Sequence, residues 1–262
     1  MLQEISKVTI ITVTYNSEST VRDTLESVSR QTYPYVEHII IDGNSNDSTL
    51  SIIAEFAHIS NVISEPDKGI YDAMNKGIAL ANGSIIGILN SDDLFFDDNV
   101  IKNIIDIFNH NQSFDAVYGN ISYFKTENPT KSIRFWKSTP FYTTFFEDGY
   151  IMPHPSLFLK KEVYEKIKLY NPNFKISSDY ELMLRAFKIH SFKPYFLDKT
   201  IVKMRVGGKS TKNINNVILA NKEIYQAWKM NKLTIPLFFY VKRFTYKLKQ
   251  LINRNPQSSK TY

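Results

Sequence analysis

Cysteine is absent from the 262-residue chain, which excludes both a disulfide framework and a thiolate metal site. A reducing cytoplasm is compatible with that composition. Long apolar runs are missing as well. No stretch approaches the roughly 18–20 residues that a spanning helix needs, so the chain does not read as transmembrane. The N-terminus, MLQEISKVTIITVTYN, lacks the basic segment and long apolar core of a secretory signal and runs almost at once into strand-like sequence. No internal repeat occurs, and low complexity is confined to the polar last seven residues. Acid is nearly missing from one end: residues 199–262 carry 14 Lys or Arg against a single acid, Glu223, whereas residues 1–198 carry 18 against 25. A mildly acidic body with a strongly basic tail directs that tail toward an anionic surface or polymer.

What is present supplies a core. Hydrophobic residues make up 43% of the chain and aromatics 14%, enough for one large domain or two small ones. The first hundred residues alternate between two periods. KVTIITVT (7–14), VEHIIID (36–42), NVISE (61–65) and the run Ile85 to Leu89 are short and β-branched, as buried strands are. Between them, TVRDTLESVSRQ (20–31) spaces Val21, Leu25 and Val28 helically, and DSTLSIIAEFA (47–57) begins at a cap on Asp47 or Ser48. GIYDAMNKGIALANG (69–83) aligns Ile70, Met74, Ile78 and Ala81 before a stop at Gly83. Such alternation builds parallel βαβ units with helices on both faces of a sheet. Ligands of such sheets lie beyond the carboxyl ends of the strands.

Four strand ends then share one address: Thr14-Tyr15-Asn16, Asp42-Gly43, Glu65-Pro66-Asp67 and Asp92-Asp93. The pair Asp92-Asp93 stands at the mouth of an apolar run, where like charges repel and each resists losing water unless something neutralises it. Water, a basic partner or a metal cation can do so. Loop acids also serve simply as helix caps, an adequate reading for Asp42 or Asp47 taken singly, while Asp97 and Asp98 are at hand to cap in place of the pair. Beyond residue 100, VIKNIIDIF (100–108) is an amphipathic helix and DAVYGNISYF (115–124) a strand that KSIRFWK (131–137) can pair. Ser156 to Leu159 read as extended and Lys161 to Tyr170 as helical. SSDYELMLRAFKI (177–189) is a helix with Asp179 in its first turn, and residues 193–210 read as two short strands running into a glycine loop.

Together, TVTYNSESTVRDTLESVSRQTYPYVEHIIIDGNSNDST, EPDKGIYDAMNKGIALANG and ILNSDD resemble the catalytic domain of glycosyltransferase family 2. The resemblance is dense over residues 7–125 and looser through HPSLF, SSDYELMLR and MRVGGKS to about residue 210. It looks like the subgroup that builds bacterial exopolysaccharide, capsule and O-antigen units. It implies an α/β GT-A fold, a Rossmann-like, mostly parallel sheet with helices on both faces, followed here by a C-terminal helical extension. On that pattern residues 1–95 form the nucleotide-sugar-binding half, 96–212 the acceptor-binding half of the same domain, and 213–262 the basic extension. The implied activity is inverting transfer of a sugar from a nucleoside diphosphate, tilted toward UDP, to a saccharide or lipid-linked acceptor in cell-surface polysaccharide synthesis.

The resemblance also implies roles. Thr14, Tyr15 and Asn16 line the nucleoside pocket, Asp42 reads the base, and Asp67 and Lys68 lie on the donor-contacting loop, Lys68 either pairing with phosphate or simply solvated. Asp92 reaches the ribose and Asp93 holds Mn²⁺ or Mg²⁺, a hard cation suited to a departing diphosphate. Asp179 is the general base for the acceptor hydroxyl, although Ser178 stands where many relatives have Glu. Glu181 is the fallback, and an Asp that merely complements the helix dipole is the plain alternative. His154, between two prolines, is an acceptor-site, metal-adjacent or hydrogen-bonded loop histidine. Arg205, Lys209 and Ser210 grip the diphosphate from a flexible glycine lid, or form a plain turn.

In the tail, Leu237, Val241, Phe244, Leu248 and Leu251 or Ile252 keep helical spacing while Lys242, Arg243, Lys247, Lys249 and Arg254 cover the rest. Such a helix suits an anionic membrane, or packs on the body with its lysines solvated. The expected location is the cytoplasm, peripheral on the inner face of the membrane. Rival readings fit less. A nucleotidyltransferase would follow its first strand with a glycine-rich, Arg-containing loop, and TYNSEST has no glycine. A processive synthase would carry Q-x-x-R-W and spanning helices. The +13 tail raises a nucleic-acid-binding module, but no such motif occurs and the acidic crevice would go unexplained. A catalytically inactive nucleotide-sugar-binding relative would keep every motif quoted.

Overall fold

Strand β1 (Val8–Thr14) is buried along its whole length, and its side chains alternate between two cores. Ile11 and Val13 join Ile39, Ile41, Met74 and Ile78 on one face, while Val8 and Ile10 join Val28, Ile85, Ile101 and Ile105 on the other. A strand apolar on both faces needs a helical layer on each side. The computed structural model, which describes residues 6–207 and 214–252, supplies them. After β1 come α1 (Val21–Ser29), β2 (Val36–Asp42), α2 (Thr49–Ile53), β3 (Ile59–Ser64), α3 (Ile70–Leu80) and β4 (Ile85–Ile88). The second half follows with β5 (Leu94–Phe95), α4 (Val100–His110), β6 (Ala116–Lys125) and β7 (Asn128–Trp136). It ends in β8 (Phe158–Lys160), α5 (Lys161–Ile167), α6 (Ser178–Met183), β9 (Pro194–Arg205), α7 (Ile214–Met230) and α8 (Phe239–Ile252).

The nine strands form one sheet in the order β3-β2-β1-β4-β8-β6-β9-β5, with β7 paired to β6. The expectation of a mostly parallel sheet holds only for its first half. β3, β2, β1 and β4 are mutually parallel, whereas β8 runs antiparallel between β4 and β6 and only β6 with β9 is parallel again. The fold is mixed α/β. Two local expectations also change. Residues 194–205 make one strand, not two, because a register shift between Tyr118 and Asn120 absorbs the polar Asp198-Lys199-Thr200. The helix opened by Ser178 is α-helical only to Met183 and continues as a π-helical turn over Leu184–Ile189, closed by the His190 N–H on the Arg185 carbonyl.

Helix α3 stops at Leu80 and not at Gly83, since Ala81 is already extended. The next residue is captured instead: the Asn82 backbone N–H and side-chain amide both donate to the Glu37 carboxylate, at 2.8 and 2.9 Å. That carboxylate, almost fully buried, also accepts from Lys7 and Thr9. Burial pushes it up, but the hydrogen bonds from Lys7, Thr9 and Asn82 outweigh burial and hold it at about 2. Its neighbour His38 hydrogen-bonds Thr12 and His58, and burial followed by the His58 charge lowers it to about 3. Both groups tie stability to pH in the same direction. Glu37 stabilises above the unfolded carboxylate range, with loss as pH falls toward about 2. His38 stabilises while neutral, with loss as pH falls from the unfolded 6.5 toward about 3. The thermal midpoint should therefore drop continuously between pH 6.5 and 3, and Glu37→Gln should lower it at neutral pH while flattening the slope below pH 4.5. A level midpoint across that range in scanning calorimetry would contradict this account.

Candidate active site

The carboxyl ends of β1, β2 and β3 lie side by side, with Thr14 opposite Asp42 and Asp42 opposite Ser64. Asn16 and Asn44, both at positive φ, turn the two following loops toward one another, and Asn tolerates that conformation better than most residues. The Asn16 N–H donates to Ser45 Oγ at 2.8 Å and the Asn46 N–H to Asn16 Oδ1 at 3.0 Å. Thr14 is buried, and its Oγ1 has no partner. Tyr15 is 60% exposed at the rim. Gly43 is closely approached: a Cβ there would lie 2.6 Å from Asp67 Oδ2 and 3.3 Å from Tyr15 Cδ2, so a side chain would have to displace the Asp67 carboxylate. Asp67 itself accepts the Gly69 N–H at 2.8 Å. Lys68 is exposed, and its N–H donates to Asp72.

Asp42 differs from its expected role. It has no accessible surface, and its carboxylate accepts from the Ser45 N–H, the Ser45 hydroxyl and the Ser64 hydroxyl. It is not an open reader of a base. It is the buried post that holds loop 43–46, whose backbone, with Gly43 and the Tyr15 ring, borders the crevice.

The loop after β4 closes the other side. Ser91 Oγ lies 2.9 Å from Ser17 Oγ, joining this loop to the one after β1. The adjacent acids diverge: Asp92 is half-buried, whereas Asp93 is 1% exposed. Asp93 Oδ2 accepts from Asn90 Nδ2 at 3.1 Å, while Asp93 Oδ1 and Asn90 Oδ1 are buried without a partner. Burial first, and the Asp92 charge second, push the Asp93 carboxyl well above the usual range, against the pull of Asn90 and Arg205. An enclosed acid with one unsatisfied oxygen beside a second carboxylate fits a divalent cation, which would displace the proton and complete the shell. Among the described residues no three His, Asp or Glu side chains gather into a metal centre. A Mg²⁺ or Mn²⁺ ion that takes diphosphate and water oxygens needs only one or two carboxylates. Of the two carboxylates, Asp92 is the more accessible and Asp93 the enclosed one.

Arg205 is also corrected. It ends β9 at 7% exposure, donates from Nη2 to Asp23 at 2.8 Å and lies 4.8 Å over the Phe124 ring. The guanidinium is held by an acid and a ring, and the Arg205 backbone N–H, followed by its charge, draws the Asp93 carboxyl toward its charged form. Lys209 and Ser210 lie outside the described residues.

Asp179 is half-buried in the first turn of α6. The Tyr71 hydroxyl sits 3.4 Å from Asp179 Oδ1 and donates to the Ile176 carbonyl at 2.6 Å. Tyr71 stacks on Tyr170, whose hydroxyl lies 2.8 Å from Nε2 of the partly buried His154. The hydrogen-bonded loop reading thus describes His154; burial lowers it and the Asp179 charge opposes that shift. Glu181 cannot stand in for Asp179. Two residues on, it lies on the opposite side of the helix, 3% exposed, bidentate to Arg185 at 2.7 and 2.8 Å and accepting from Asn231. It is a structural ion pair. Ser178 is fully buried, with an unpartnered hydroxyl.

Three residues at this end escaped the sequence reading. Glu223 of α7 is buried and accepts the backbone N–H groups of Lys175, Ile176 and Ser177 at 2.7, 2.9 and 2.8 Å, fixing the turn that leads into Asp179. Trp228 donates to the Tyr180 hydroxyl at 2.9 Å. Arg243 of α8 is buried 5.5 Å from the Tyr180 ring, with Nε unpartnered. The available signal was Glu223 itself, a lone acid in a basic stretch.

The family model described as Glycosyl transferase family 2 matches residues 9–167. An uncharacterized glycosyltransferase of Mycobacterium tuberculosis is 32% identical over 185 residues, 68% of either chain. A PGL/p-HBAD biosynthesis glycosyltransferase of Mycobacterium bovis is 26% identical over 182 residues, again 68% of each. Among solved structures, Staphylococcus aureus TarS superimposes with a TM-score of 0.67 at 17% identity, over 96% of this chain and 44% of that one. This chain therefore spans less than half of that TarS chain. The mannosyltransferase PcManGT of Pyrobaculum calidifontis, in complex with GDP-Man and Mn²⁺, gives 0.65 at 18% identity over 93% of this chain and 70% of that one. These likenesses concern the fold.

Proposed function

The chain belongs to glycosyl transferase family 2, and from that premise we propose that it is an inverting, metal-dependent glycosyltransferase moving a sugar from a nucleoside diphosphate to a saccharide or lipid-linked acceptor. We assign it to the cytoplasmic face of a bacterial membrane, in cell-surface polysaccharide synthesis. The observation that carries the reading is the unsatisfied Asp93 oxygen beside Asp92, in the loop beyond β4, the strand next to β1 in the parallel half of the sheet. Asp92 and Asp93 would hold Mn²⁺ or Mg²⁺, which when bound supplies positive charge to the departing diphosphate. The rim of Tyr15, Gly43 and Asp67, with the loop from Asn16 to Ser45, receives the nucleoside; Lys68, exposed at that rim, meets phosphate. A UDP-sugar is the donor proposed.

Asp179 takes the acceptor hydroxyl proton as that oxygen bonds to the anomeric carbon and the carbon–oxygen bond to the diphosphate breaks on the opposite side. The nucleoside diphosphate leaves with the bonding pair, so configuration inverts. Tyr71 and the Glu223-held turn orient the carboxylate. Calorimetric titration of UDP, GDP and dTDP, with and without Mn²⁺, tests the donor half. One nucleotide should bind in the micromolar range with metal alone, and Asp92→Asn and Asp93→Ala should each weaken it at least tenfold. Failure of all three nucleotides to bind, or equal binding without metal and in both variants, would refute the donor site.

A further inference from the structure

Helix α8 carries its apolar residues on the side away from the protein. The inward face is Phe239, Arg243, Tyr246 and Gln250. Tyr246 accepts the Trp136 indole N–H at 2.9 Å and meets the Tyr150 ring at 4.4 Å, and a Cβ on Gly149 would lie 2.5 Å from the Arg243 nitrogen. The packed side is thus half polar. The stripe at helical spacing that would ordinarily be buried is outside instead: Leu237 is 90% exposed, Val241 60%, Phe244 63% and Leu248 42%, with Phe238 at 62% beside the first of them. Helix α7 repeats the arrangement, with Ile214 and Ile218 at 76% and 63%. Two consecutive helices that leave isoleucine, leucine and phenylalanine in water on one spacing require a cover.

The charge around the stripe selects the cover. Beyond Glu223, residues 224–262 contain eight Lys or Arg and no acid, and Glu223 is itself spent on buried backbone N–H groups. Lys229, Lys232 and Lys247 are exposed; Lys242 neutralises Asp148 at 2.7 Å. A second copy would oppose two such cationic surfaces, and a nucleic acid would leave the apolar stripe wet. An anionic bilayer satisfies both features, taking the apolar side chains below the headgroups and the amines among them. Among the described residues no helix is long and apolar enough to cross a membrane, so contact is lateral. We propose that the outward stripe of α8, led by Leu237 and Phe238, docks the protein onto an anionic lipid surface. The inference deepens the lipid-linked acceptor of the proposed function and rests on that reading for its purpose, though the surface is separate from the crevice.

Vesicle co-sedimentation of the full chain tests it, using phosphatidylcholine vesicles with or without about one part in four phosphatidylglycerol. The wild type should partition at least tenfold more strongly onto the anionic vesicles, and Leu237→Asp with Phe244→Asp should remove at least nine-tenths of that binding. Both residues face water, so circular dichroism of the double variant should match wild type. No sedimentation of wild type, undiminished binding of the variant, or a dimer in analytical ultracentrifugation that the variant dissolves would each overturn the proposal. Nucleotide titration of the same samples separates the two claims. Nucleotide binding without vesicle binding removes the docking surface alone; the converse removes the donor site alone.

Discussion

Asp179→Asn should lower kcat by about two to four orders of magnitude, the usual worth of a positioned general base, while the affinity for the nucleoside diphosphate changes less than about twofold. Asn keeps the shape and the contact with the Tyr71 hydroxyl but cannot accept the acceptor's proton at neutral pH. The proposed donor site, at the ends of β1 to β4, is untouched. Glu181→Gln serves as the control. Its carboxylate is committed to Arg185 and Asn231, so its loss should appear in the thermal midpoint and not selectively in kcat. An Asp179→Asn enzyme with near-wild-type kcat would remove this residue from the chemistry; a Glu181→Gln enzyme that folds normally but does not turn over would transfer the role.

Glu223→Ala should be the most damaging change in the C-terminal region. Three backbone N–H groups lose their acceptor at once, that of Ser177 buried and those of Lys175 and Ile176 partly so, and each donor left unsatisfied away from water costs on the order of 1 kcal/mol or more. A total of roughly 3 kcal/mol corresponds to a fall in the thermal midpoint of about 6–12 °C for a chain of this size. The turn released is the one that enters α6, so kcat should also fall below what the folded fraction explains, with nucleotide affinity preserved. Glu223→Gln retains one acceptor oxygen and should lie between. A midpoint within about 2 °C of wild type in Glu223→Ala would mean that the clamp is dispensable.

The first half of the fold was legible because its information is local. Each strand from β1 to β4 announces itself by β-branched runs and each helix by its spacing, and parallel order follows from the alternation. The second half depends on contacts distant in sequence. Nothing around Phe158 specifies that β8 enters antiparallel between β4 and β6. The polar Asp198-Lys199-Thr200 looks like a turn until Gly119 and the register shift beside it are known. The site shows the same division. Strand periodicity set Thr14 and Asp42 at neighbouring strand ends, yet could not tell which carboxylates of the loops beyond are open. Asp42 is closed by two serines and Asp93 by its neighbours, because side-chain burial depends on what packs above a loop. On α8 the spacing identifies an apolar stripe but not the side that meets the protein. That is set by Trp136, Tyr150 and Tyr180, which present partners for Tyr246 and Arg243.

The Glu223 clamp has a consequence for how the protein comes into being. Its carboxylate reaches back 46 residues to Ser177, whereas the units from β1 to β4 pair with neighbours already made. As the chain leaves the ribosome, the edge formed by β1 to β4 can pair while α6 still lacks the anchor for its approaching turn. The approach to Asp179 is therefore completed only once α7 has emerged, and its folding waits on synthesis in a way that the β1 to β4 edge does not.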